Sequence, residues 1–284
     1  MIKAYYRLAK PGIIYGNSLA AIAGFLLASK GNVQWGLFIA MLVGLSLVIA
    51  AGCVFNNILD RELDAKMQRT KNRATVTGVI SERNAFVYGV VLLFLGLLVL
   101  HYCTNMAAFV VSLIGFLVYV FWYTPLKPRS VHATLIGSIA GAIPPVAGYV
   151  AVMGAMDLAA WLLFFILVFW QMPHFYAIAI YRHDDYVAAS VPVLPVHKGI
   201  RAAKLQIVAY IVLFILASLL LSLDKFTGLT YAAAMFVVGA KWLMLALEGF
   251  KTGNNIVWAK KVFRFSLIVL LVFCVMLSVN VYLP

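Results

Sequence analysis

Charge is what this chain has least of: 11% of its 284 residues are Asp, Glu, Lys or Arg, against about 25% in a soluble domain. With 65% hydrophobic residues and a mean hydropathy of +1.01, it has too little polar surface to face water. Hydrocarbon is its expected solvent. Cysteine is also rare. Cys53, Cys103 and Cys274 lie scattered in apolar segments without C-x-x-C or C-x-x-C-H spacing, which excludes a redox or heme-attachment motif and leaves them to packing. The weak ten-residue alternation of a membrane β-barrel is missing. So is a basic segment interleaved with aromatics, so the net charge of +13 does not point to nucleic acid. The first apolar segment has no small-residue cleavage site and runs to spanning length, unlike a secretory leader.

What the chain does have is long apolar runs. A helix of roughly 17 to 25 apolar residues crosses a hydrocarbon core, and nine stretches qualify: 12–29, 36–58, 85–101, 107–123, 131–153, 158–180, 203–222, 228–248 and 262–282. Short loops join them, so the expectation is an all-α polytopic protein with a single transmembrane domain over 1–284. Lys and Arg are retained on the cytoplasmic side. They crowd the N-terminus (Lys3, Arg7, Lys10) and the loops after the second, fourth, sixth and eighth spans, while the opposite loops hold only Lys30 and Lys225. This places the N-terminus in the cytoplasm and the C-terminus in the periplasm of a bacterial inner membrane.

Seven of the nine acidic residues fall on the cytoplasmic side by this reading, and four of them form two clusters. In the first, Asn56, Asp60 and Asp64 recur at every fourth position. On a helix each is rotated about 40° from the last, so their oxygens share one face. Mg²⁺ takes oxygen ligands and commonly uses one or two carboxylates plus substrate phosphates. The same residues would also suit a solvated helix end, with Asp60 and Asp64 pairing with Arg61 and Lys66. Lys66, Arg69 and Arg73 follow directly, and guanidinium forks bind phosphate oxygens. A metal face followed by a basic clamp is what a diphosphate requires, although attraction to anionic lipid explains part of the run.

The N-x-x-x-D-x-x-x-D motif with Arg69-Thr70 and Arg73 resembles the first motif of the UbiA superfamily of intramembrane prenyltransferases. Lys10-Pro11-Gly12, Tyr123-Thr124-Pro125-Leu126-Lys127, Pro144-Pro145 with Gly148-Tyr149, and Trp170-Gln171-Met172-Pro173-His174-Phe175 through Asp185-Tyr186 extend the likeness over the chain. They resemble the branch that farnesylates heme. The resemblance implies nine helices around a central cavity. It also implies transfer of the farnesyl group of farnesyl diphosphate to a vinyl group of heme B, with addition of water, to give heme O. Hand-over to a terminal oxidase or to heme A synthase would follow from that role.

That chemistry assigns expected roles. Asn56, Asp60, Asp64 and, from the second cluster, Asp185 would hold Mg²⁺. Lys66, Arg69, Arg73, Lys127, Arg129 and Arg182 would hold diphosphate, Arg182 alternatively a heme propionate. Tyr123 would face the allylic cation, or else belong to an interfacial aromatic belt with Trp122. Pro128 departs from the pattern, standing where Arg commonly follows the Lys, which puts the direction of Arg129 in question. The second motif departs further: His174 stands where other branches place an Asp. His174 would meet the porphyrin as an axial ligand or at its edge, or would be a packing histidine in a helix that Pro173 interrupts. Lys241, within the eighth span, has no assigned role. Two other readings stay open: a 4-hydroxybenzoate-type polyprenyltransferase, which should carry the acidic start to the second motif, and a transporter, which should show repeated halves.

Overall fold

The computed structural model describes residues 1–283. Among these residues nine helices are long and apolar enough to cross a membrane: α1 Pro11–Ser29, α2 Trp35–Leu59, α3 Glu82–Cys103, α4 Met106–Leu126, α5 Ala133–Met153, α6 Leu158–Tyr181, α7 Gly199–Leu223, α8 Leu229–Phe250 and α9 Asn255–Tyr282. No strand is present among the described residues. Short helices at Ile2–Leu8, Arg61–Lys66, His183–Ala188 and Leu194–His197 lie between or before the spans.

These helices adhere without help from the hydrophobic effect, because lipid tails are as apolar as their side chains; close backbone approach and interhelical hydrogen bonds do the work. α1 packs against α5, and α6 against α5, α7 and α9; α9 returns to α1 and closes the arrangement, while α2 pairs with α3. Gly24 of α1 and Gly148 of α5 sit where the two backbones nearly touch: a Cβ on Gly24 would lie 2.0 Å from the Pro145 carbonyl oxygen, and one on Gly148 2.0 Å from that of Ala21. Gly44 and Gly96 do the same between α2 and α3. Polar side chains then tie helices together. Asn105 donates to the carbonyls of Val150 and Ala151 at 2.9 and 2.8 Å, and Gln171 donates to that of Ser138 at 3.1 Å.

The ends differ from the hydropathy reading where helix continues past apolar sequence. α9 begins at Asn255, seven residues before 262. Asn254 caps it by accepting from the Val257 N–H, so Lys260, Lys261 and Arg264 ride on helix rather than in a loop. Long basic side chains reach the interface from such positions. α4 has a different irregularity, a π-helical stretch at Val118–Tyr123, of the kind that often marks functional positions.

Candidate active site

The site forms where α2 ends. Asp60 breaks the helix, with φ −85° and ψ 3°, and the chain restarts as Arg61–Lys66. Yet the Asp64 N–H still donates to the Asp60 carbonyl at 2.7 Å, as the Asp60 N–H does to that of Asn56 at 2.9 Å. The four-residue register therefore survives the break, and Asn56, Asp60 and Asp64 remain stacked and buried.

Each carboxylate has a cation. Lys127, from the end of α4, lies 2.8 Å from Asp60 Oδ2, and Arg73 pairs with Asp64 Oδ2. Asn56 organises the first pair, donating from Nδ2 to Asp60 Oδ2 at 3.1 Å and to Thr124 Oγ1 at 3.0 Å. Thr124 passes its own proton to the Tyr119 carbonyl inside the π-helical stretch, at 2.8 Å. Lys10 enters from the other side, donating to Asn56 Oδ1 at 2.5 Å. Loss of hydration, with Arg73 and Lys127 nearby, pushes the Lys10 ammonium down to about 8 against the attraction of Asp60. Three cations thus face two carboxylates, a balance that favours an added anion.

Lys10 and Thr124 were not assigned a place here from sequence. Lys10 reads as one more cytoplasmic positive charge; its left-handed backbone, φ 52°, just before Pro11, is what turns it inward. Thr124 carried a weak signal, a hydroxyl at the end of an apolar helix and directly before a proline.

The other expected residues divide. The Tyr123 ring stacks on that of Tyr119, centroids 5.4 Å apart, and lies over Gly137 of α5, where a Cβ would come within 2.7 Å of the ring. Burial raises the phenol pKa of Tyr186, Tyr123 adding to the shift while Lys127 and Arg69 oppose it; the segment after α6 therefore sits beside the first cluster. Asp185 is partly shielded and lies 3.9 Å from Arg182, whose guanidinium is also 5.5 Å above the Tyr181 ring. Arg69, Lys66 and Arg129 are exposed and make no ion pair among the described residues. His174 lies outside the network, its Nδ1 2.7 Å from Ser266 Oγ of α9. Lys241 stands 5.7 Å over the Phe265 ring.

The donor set suits Mg²⁺. Asp60 and Asp64 each engage their cation through Oδ2, and Oδ1 of both accepts no hydrogen bond from the described residues. No group of three or more His, Cys, Asp or Glu forms a metal cage among them, so a cation here would complete its shell with water and substrate oxygens, the usual habit of Mg²⁺.

A bundle of nine spanning helices with paired carboxylates and basic clamps at one end is the architecture of an intramembrane prenyltransferase. The model of the UbiA prenyltransferase family matches residues 18–279, and the chain belongs to that family. It is a multi-pass membrane protein. It is 50% identical over 270 residues to the protoheme IX farnesyltransferase of Protochlamydia amoebophila (strain UWE25), covering 95% of each chain. Among solved structures it resembles digeranylgeranylglyceryl phosphate synthase, with a TM-score of 0.82 at 21% identity, over 99% of this chain and 98% of that one. It also resembles a UbiA homologue from Archaeoglobus fulgidus bound to DMAPP and Mg²⁺, with a TM-score of 0.71 at 18% identity, over 97% and 99%.

Proposed function

We propose that this chain transfers the farnesyl group of farnesyl diphosphate to a vinyl group of heme B, adding water, to make heme O. The buried Asp60–Lys127 and Asp64–Arg73 pairs carry the reading, because they preassemble the charges that a departing diphosphate needs. Likeness over nearly the full chain to a protoheme IX farnesyltransferase supports heme B as the acceptor, and the Mg²⁺ and DMAPP in a relative of the same fold support a prenyl diphosphate with a divalent cation. The whole of 1–284 acts as one membrane domain, with its N-terminus and site toward the cytoplasm of a bacterial inner membrane and its C-terminus in the periplasm.

Asn56, Asp60 and Asp64 would hold the metal, with Asp185 as a further carboxylate ligand from the segment after α6. Bound Mg²⁺ supplies Lewis-acid neutralisation of the leaving oxygens. Lys127 and Arg73, with Lys10, Lys66 and Arg69, take the phosphate oxygens, and this charge must stand ready before the carbon–oxygen bond breaks. Tyr123 presents its ring to the allylic cation. The vinyl π electrons form the new bond to the farnesyl carbon; water adds to the other vinyl carbon and loses a proton.

The test is to incubate the purified protein with farnesyl diphosphate, Mg²⁺ and heme B and follow heme mass. Formation of heme O that EDTA abolishes is the expected result. Prenylation of 4-hydroxybenzoate instead would retain the diphosphate site and overturn the acceptor; no product from either would return the transporter to consideration. Gly137→Ala is a finer probe. A methyl 2.7 Å from two carbons of the Tyr123 ring displaces it, and turnover should fall roughly ten- to a hundredfold, as misplacement by about 1 Å commonly costs. Farnesyl diphosphate binding should change little. Unchanged turnover would remove Tyr123 from the reacting centre.

A further inference from the structure

His174 is held in a way that plain packing does not require. Its ring stacks on Trp170 at 4.8 Å and 27° and lies 4.9 Å from Phe263. Nδ1 is 2.7 Å from Ser266 Oγ. Trp170, one turn earlier on α6, donates its indole N–H to the Ser266 carbonyl at 2.8 Å. One serine of α9 thus receives two consecutive turns of α6.

The proton count at Ser266 decides the state of the histidine. A hydroxyl has one proton. Ser266 Oγ lies 2.6 Å from the Phe263 carbonyl oxygen, which only accepts, so the serine proton goes there. Ser266 is fully buried, which leaves no water to alter the balance. The contact with Nδ1 must then be donated by the histidine. In a neutral imidazole the nitrogen that carries no proton bears a lone pair, and here that is Nε2. Nε2 has no hydrogen-bond partner, and it is not among the buried unpartnered polar atoms of the described residues. Its lone pair is therefore unclaimed within the protein.

We propose that Ser266 is a positioning residue: it fixes His174 as the Nδ1–H tautomer and presents the Nε2 lone pair to the iron of the porphyrin substrate. This rests on the heme reading above and names the atom and the support that the reading lacks. The chemistry also fits a substrate that must leave. A ligating histidine whose other nitrogen donates to a carboxylate becomes more basic; a serine hydroxyl, neutral and with its own proton engaged elsewhere, gives less push, so the iron is held reversibly. The stacked Trp170 and tilted Phe263 rings fix the plane of the imidazole and hence the direction of the lone pair.

The experiment is a titration of the full-length protein in detergent with ferric heme B, without farnesyl diphosphate, read by absorption and electron paramagnetic resonance. The wild type should give a spectrum of imidazole-ligated iron. His174→Ala should lose it, and added free imidazole should restore it. Ser266→Ala should weaken heme binding about ten- to a hundredfold, the usual effect of removing a metal ligand's supporting partner, whereas Ser266→Thr, which keeps the hydroxyl, should retain the imidazole-ligated spectrum that Ser266→Ala weakens. Because Ser266→Ala also alters packing, farnesyl diphosphate binding is measured in each variant and should be unaltered. A wild-type iron spectrum in His174→Ala, or wild-type affinity and spectrum in Ser266→Ala, overturns the proposal. Heme O formation by the wild type, measured separately, tells that failure from failure of the heme reading itself.

Discussion

Replacing Asp60 or Asp64 with Ala is expected to lower farnesyl transfer by roughly a thousandfold, the upper end of the loss when one preorganised charge-stabilising group is removed, while membrane insertion and yield stay near those of the wild type. Two effects combine. The carboxylate we place on Mg²⁺ disappears, and a half-buried cation loses its counter-charge: Lys127 in the first variant, Arg73 in the second. An orphaned cation disturbs the site beyond the missing ligand, because what remains after breaking a buried pair is an uncompensated charge. Raising Mg²⁺ should therefore rescue neither variant fully. Asp184→Ala is the matched control. Its carboxylate is fully exposed and only 3.6 Å from His183 at the surface, so turnover should remain within about twofold, as for surface ion pairs generally. The measurement is initial rate of heme O formation at saturating donor, with protein quantified in the membrane fraction; near-wild-type rates in both Asp60→Ala and Asp64→Ala would remove this cluster from the reaction.

The same cluster shows how far sequence carries. Asn56, Asp60 and Asp64 were legible because a four-residue spacing puts them on one helical face, and that inference needed only local periodicity. It tolerated an unforeseen break at Asp60, since the backbone bond from Asp64 to Asp60 preserves the register across it. The nine spans were legible for a similar reason: length and apolarity are local properties. What escaped was set by tertiary placement. Charge does not distinguish Lys10, which reaches Asn56, from Lys3 or Arg7, which make no such contact. Charge alone likewise could not separate Arg73, which binds Asp64, from Arg129, which stands exposed. For His174 the sequence left ligand and packing roles equally open, because the contacts from which we propose the ligand role, Ser266 Oγ beside both Nδ1 and the Phe263 carbonyl, lie on a helix 92 residues further along.

The second large effect concerns stability rather than chemistry. Gly148→Ala is expected to destabilise the protein by about 3 kcal/mol, the upper end of the overpacking range, because the added methyl would meet the Ala21 carbonyl oxygen at 2.0 Å and the Phe25 nitrogen at 3.0 Å. Neither is the tip of a side chain that can swing away; both belong to the backbone of α1. The helices must separate along the whole contact, which also carries the reciprocal approach of Gly24 to Pro145. Separation loosens the join between the N-terminal helix and α5, and so shifts Lys10 relative to the Asp60 cluster. Thermal unfolding in detergent should show a fall of roughly 6 to 12 °C, taking about 2 to 4 °C per kcal/mol for a chain of this size. Gly16→Ala on α1 has nothing within 4 Å of the new methyl and gains helix propensity of up to about 1 kcal/mol, so its midpoint should hold or rise. Equal midpoints for Gly148→Ala and Gly16→Ala would show that α1 and α5 do not meet backbone to backbone. The expected contrast would show that this small-residue crossing, and not apolarity in general, holds the helix that brings Lys10 to the carboxylates.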